Sequence, residues 1–132
     1  MSLLCPDVGE VLMLKYALNH TAATNVKLHL FKNDYTPVEG SVVADFTECT
    51  ADGYAAIELT DSSFTAESSA GVTTAEYEQQ TFTLTGASTD YGYYITNNAG
   101  TQVLWAERFS DAPHSIPSGG GTEKITVKIA LE

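Results

Sequence analysis

The sequence predicts a mainly β domain, an antiparallel β-sandwich or flattened barrel carrying one N-terminal α-helix, and three observations carry that expectation. Apolar residues recur with a period of two over most of residues 25–131. Glycines and turn-forming residues interrupt these runs at short intervals. Only residues 7–19 show the three-to-four spacing of a helix that is apolar on one face. At 132 residues, with 43% hydrophobic and 17% charged, the chain is sized for one domain, 1–132, around one core.

The helix rests on "DVGEVLMLKYALN" after Pro6, where Asp7 caps, Glu10 closes a capping box and Asn19 stops the run. Val8, Val11, Leu12, Leu14 and Leu18 form its apolar face, which is expected to pack on the chain's own domain. In "NVKLHLF" the alternation sends Val26, Leu28 and Leu30 inward, with Lys27 and His29 outward. "YAAIELT", "YEQQTFTLTG", "YGYYITN" and "TQVLWAERF" follow, with "NNAG" (97–100) as a tight hairpin between the last two. "KITVKIALE" sets Ile125, Val127, Ile129 and Leu131 against Lys124 and Lys128, making about six strands in all. Tyr77 has the opposite parity from Phe82 and Leu84, so a bulge near Gln79 or an outward Tyr77 is expected. Tyr91, Tyr93 and Ile95 fall on one face, and with Tyr94 and Trp105 they read as core before they read as a sugar-stacking platform.

Charge and motifs exclude several function classes. Seventeen acidic residues against six basic give a net charge of -11, which repels phosphate backbones and anionic lipid, so neither nucleic acid nor membrane is expected as a partner. No apolar run reaches the roughly twenty residues of a membrane span. The opening "MSLLCPDVGE" lacks the parts of an export signal, so Cys5 and Cys49 are expected to be reduced thiols. No metal-ligand spacing or cofactor fingerprint is present: Asp45, Glu48 and Asp52 do not form a calcium loop, and "SGGG" (118–121) lacks the rest of a phosphate loop. Asp111, His114 and Ser115 in "SDAPHSIPSGGG" are near in sequence, but a triad needs a nucleophile on a sharp turn and partners from separate elements. That segment is read as a connecting loop, and the chain as a non-enzyme.

Residues 31–53 hold no sustained period yet carry Phe31, Tyr35, Pro37, Val38, Val42, Val43 and Phe46, with Tyr54 just beyond. These eight are the candidate partner contacts, because a solvated linker does not concentrate apolar groups in this way. An Ω-like cover over the chain's own core is the competing reading, and the two are compatible. "LFKNDYTP", "DFTE", "GYA", "YGYYIT" and "LWAERF", in this order and preceded by "DVGEVLMLKYALN", resemble a group of small virion-associated proteins of tailed bacteriophages. The resemblance implies a capsid decoration or cement protein, assembled in the host cytoplasm, that binds the major capsid protein on the capsid exterior and stabilises the shell. A tail, fibre or head-to-tail component is the alternative within that class, and a carbohydrate-binding β module the alternative outside it. Placing many copies on a shell favours closed symmetry, so self-association as a homotrimer is expected. The loop surface around Phe46 is the first candidate interface and the outer face of the helix the second.

Overall fold

In the computed structural model, which describes residues 3–60 and 63–131, one four-stranded antiparallel sheet is covered on both faces. Its strand order is β2 (Ile57–Leu59), β1 (Val26–Phe31), β7 (Gly92–Asn97), β8 (Val103–Arg108). Register places Leu28 opposite Ile95 and Leu30 opposite Tyr93 on one face, and His29 opposite Tyr94 and Phe31 opposite Gly92 on the other. The first face meets a second layer of strands and makes the larger core, with Tyr77, Phe82, Ile125 and Val127 packed against it. That layer contains β5 (Gln80–Leu84) paired with β10 (Gly121–Ile125), and β4 (Val72–Tyr77) between β3 (Phe64–Ser69) and β11 (Lys128–Leu131). A short pair, β6 (Ser88–Asp90) with β9 (His114–Ile116), completes a β-sandwich-like fold with one helix.

The described residues hold eleven strands rather than about six, because the expected last strand is broken into β10 and β11 and four short strands, β3, β4, β6 and β9, were not expected. The chain leaves β4 at Tyr77 and enters β5 at Gln80, while its neighbour leaves β10 at Ile125 and enters β11 at Lys128. The breaks face one another, joined by the Tyr77 N–H donating to Val127 O at 3.0 Å. A break in both strands at one level resets the side-chain phase, so Tyr77 and Phe82 are both buried. This replaces the bulge or outward Tyr77 that parity alone suggested. Ile125 and Val127 are buried as expected, and the side chain of Leu131 lies outside the described residues. The β3–β4 hairpin escaped the sequence reading because "TAESSAGVTTAE" has almost no apolar alternation, and most of its residues are exposed.

The helix α1 (Asp7–Ala17) lies on β8, and Gly9 sets the approach. A Cβ at Gly9 would stand 2.9 Å from the Cα of Leu104 and closer still to its carbonyl oxygen. The capping box is not formed. Pro6 occupies the cap position with no side-chain cap, and the Asp7 N–H donates instead to Glu39 O at 2.8 Å. Asn19 does end the helix, in the left-handed region at φ 54, so the helix is two residues shorter than the expected 7–19. Only Gly9 and Leu12 are buried along α1. No helix among the described residues is long and apolar enough to cross a membrane.

Candidate functional site

The long connection after β1 is a closed loop laid over the second face of the sheet. Its neck is shut by backbone bonds, with Lys32 N–H donating to Thr47 O at 2.8 Å and Cys49 N–H to Leu30 O at 2.9 Å. Asn33 reinforces the neck from the side chain, donating to Asp45 O and accepting from Thr47 N–H. Inside the loop, Ser41 Oγ accepts the Val38 N–H and lies 2.7 Å from the Tyr35 hydroxyl. A 3-10 turn at Val43–Asp45 is held by Asp45 Oδ2 accepting the Val42 N–H. Arg108 of β8 ties the loop to the sheet through Asp34 at 2.6 Å and the Tyr35 carbonyl at 3.3 Å.

Phe46 is the apolar anchor of this cover. Its ring stacks on Tyr94 at 4.7 Å and meets the rings of Phe31 and Tyr35 edge-on at 5.2 and 5.3 Å. Of the eight candidate contacts, Phe31, Pro37 and Phe46 are buried and Tyr35, Val43 and Tyr54 are half-buried. Only Val38, 55% exposed, and Val42, 43% exposed, point outward. The physical reason is that α1 covers the sheet at β8, so the apolar groups on β1 and β7 need a lid, and most of the loop's large apolar side chains form that lid.

Covering the second face also corrects the placement of His29, which is buried, not outward. Its ring stacks on Tyr94 at 4.7 Å. Thr96 gives its hydroxyl proton to Asn97 O, so its oxygen accepts from His29 Nε2 at 2.8 Å. Glu48 Oε1 lies 2.8 Å from His29 Nδ1 and also accepts from the Tyr54 hydroxyl, which in turn accepts the Leu30 N–H. The chain of bonds fastens the returning limb of the loop to β1 and β7. Tyr91 departs from the expected parity as well: it precedes β7 and packs with the loop cluster, while Tyr93 and Ile95 enter the larger core. Tyr93 and Tyr94 are buried and so present no open aromatic surface, while Tyr91 and Trp105 are half-buried.

The Asp111, His114, Ser115 group resolves into an ion-pair cage. Glu123 presents both carboxylate oxygens to His114 Nδ1 at 3.0 Å, Asp111 holds Nε2 at 2.7 Å, and Phe109 stacks on the ring at 4.1 Å. With both nitrogens taken by carboxylates, no lone pair remains to accept a proton from Ser115. Asp90 faces His114 across the β6–β9 pair and is fully buried, with Oδ1 accepting from Ser88 and Oδ2 without a nitrogen or oxygen partner among the described residues. Burial pushes the Asp90 carboxyl up despite Ser88 and the nearby His114 charge. Burial also raises the Cys5 thiol, with Glu10 adding to it, to about 11, and it raises Cys49, so neither free cysteine offers a ready thiolate near neutrality. Among the described residues no group of three ligands is placed to hold a metal ion.

Burial alone would lower the His114 pKa, but Asp111 and Glu123 outweigh it and the net direction is up from 6.5. A raised folded-state value means that the cage's contribution is complete below the unfolded value and is lost as pH rises through the folded one. Wild-type Tm should therefore fall as pH rises from about 6.5 through the raised folded-state value. His114→Gln should lower Tm at the acidic end and flatten this dependence. An unchanged slope in the variant, read by calorimetry, would dismiss the cage as a stabilising element.

Five large hydrophobic side chains stand exposed among the described residues, and all five lie on α1 and its C-cap or on the cover loop: Val11, Leu14, Leu18, Val38 and Val42. The two segments touch, through the bond from Asp7 N–H to Glu39 O. This connected helix-and-loop region is the candidate site. Sequence reasoning found the loop half of it and assigned the helix half to the core, since an apolar helix stripe does not show which side is covered. Comparison with known proteins finds no matching family model, no matching curated protein and no matching solved structure.

Proposed function

We propose that the protein is a structural component of a tailed bacteriophage particle, a capsid decoration protein that binds the outside of the major capsid shell and stabilises it. The observation that carries this reading is the confinement of the exposed large hydrophobics to α1 and the cover loop, the pattern of a face built to be covered by another protein. The segments that resemble small virion-associated proteins supply this same region: Phe31 and Tyr35, Phe46, Tyr94 and Ala106 form the cluster beneath the loop. A net charge of -11 keeps such a protein away from packaged DNA and directs it to the outer surface.

The loop's two outward valines are the proposed shell contact. Amide exchange at Val38 and Val42 should slow at least tenfold when the protein is added to undecorated particles. Exchange at Phe46, already inside the cover, should change little. Equal protection of all three in free and particle-mixed protein would remove the shell-binding role.

A further inference from the structure

We infer that the outer stripe of α1 is a self-association seam, on which α1 of a second copy of this chain lies parallel to the first. The helix is apolar on two opposite sides. Gly9 and Leu12 face β8, while Val11, Leu14 and the C-cap residue Leu18, whose N–H still donates to Leu14 O, face away, at 51%, 62% and 77% exposure. A helix apolar on both sides is stable when both sides are covered, and this chain covers one.

The spacing says what the second cover is. Asp7, Val11, Leu14 and Leu18 are separated by four, three and four residues, the alternation that keeps a seam facing a partner helix in a coiled coil. Glu10 directly precedes the seam position Val11, and Lys15 directly follows Leu14, so an acid flanks one edge of the stripe and a base the other. In a parallel pair these edges meet with an offset of five residues, which sets Glu10 of each copy against Lys15 of the next. An antiparallel pair would lay the Glu10 edge on its own counterpart and the Lys15 edge on its own, so Glu10 and Lys15, on opposite edges, would never meet. Charge complementarity therefore selects another copy in parallel, related by rotation about an axis along the seam, a relation that closes into a dimer or a trimer. Asp7 opens the seam at its N-terminal end, where parallel copies bring like charges together and limit the apolar contact to Val11 through Leu18. The inference moves the self-contact from the surface around buried Phe46 to the helix, and it stands on α1 alone, whatever the protein decorates.

Sedimentation of the full chain at physiological salt, over concentrations up to about 1 mM, reads the association. Leu14→Glu should raise the dissociation constant at least tenfold, with an unchanged melting temperature in dilute, monomeric protein because the side chain is exposed there. Glu10→Lys and Lys15→Glu should each weaken association severalfold, the double exchange should restore it, and Asp7→Ala should tighten it. In a Cys5→Ser background, Leu18→Cys should cross-link to itself on oxidation, since parallel copies place residue 18 against residue 18. A monomer at every concentration overturns the inference, as does protection of the stripe only on particles. Charge variants that change nothing, or cross-linking of Val11→Cys to Leu18→Cys in place of Leu18 to itself, overturn the parallel arrangement.

Discussion

Gly92→Ala should destabilise the protein by about 3 kcal/mol or more, a loss of roughly 10 °C in Tm, and should be the most damaging single methyl group added to the sheet. Gly92 sits in β7 between Phe31 of β1 and Arg108 of β8. A Cβ there would stand 2.6 Å from two carbons of the Phe31 ring and inside contact distance of the Glu107 carbonyl oxygen. Neither neighbour can yield: Phe31 is fully buried under the cover loop, and the carbonyl belongs to an adjacent strand. Glycine inside a strand ordinarily weakens it, and here it marks the place where an aromatic ring lies directly on the backbone. Chemical denaturation of the purified variant measures the effect, and a loss below about 1 kcal/mol would mean that Phe31 is not seated against β7 as described.

Phe46→Ala should cost about 3 kcal/mol, since the ring is buried and makes three aromatic contacts, and truncating a buried phenylalanine usually costs 3–5 kcal/mol. The same variant should speed amide exchange across residues 32–47 while leaving the β1–β7 ladder protected, because Phe46 anchors the cover to the sheet. Val42→Ser, on the outward side of the same loop, should alter the stability of the free protein by no more than about 0.5 kcal/mol. The contrast separates a residue that closes the fold from one that faces outward. Equal stability of Phe46→Ala and wild type would return Phe46 to the surface.

How far the sequence discloses this molecule depends on whether one or two faces of an element are buried. Leu28 and Leu30 alternate with polar neighbours, so β1 is legible as a strand and its inward side is assigned correctly. His29 shows the limit: a polar residue at the right parity reads as solvent-facing, yet Glu48, Thr96 and Tyr94, from 19 to 67 residues away in sequence, enclose it. Local alternation contains no information about a lid that arrives from elsewhere in the chain. The helix failed in the opposite sense, because Val11, Leu14 and Leu18 look like core until Gly9 is seen to bring the other side of α1 onto β8. The apolar richness of residues 31–53 was legible as significant, but burial divides it between anchor and surface residue by residue. Only Val38 and Val42 remain for contact.

The closed neck of the cover loop has an evolutionary consequence. Residues 32 and 47 leave and rejoin the sheet side by side, so for the strands the loop begins and ends at nearly one point. Residues added at the exposed Gly40 are expected to leave β1 and its register with β7 in place, while the Glu39 carbonyl, which accepts the Asp7 N–H, holds that side of the tip to α1. Length and side-chain chemistry at Gly40 can therefore change while the neck bonds and the Phe46 anchor hold the scaffold fixed.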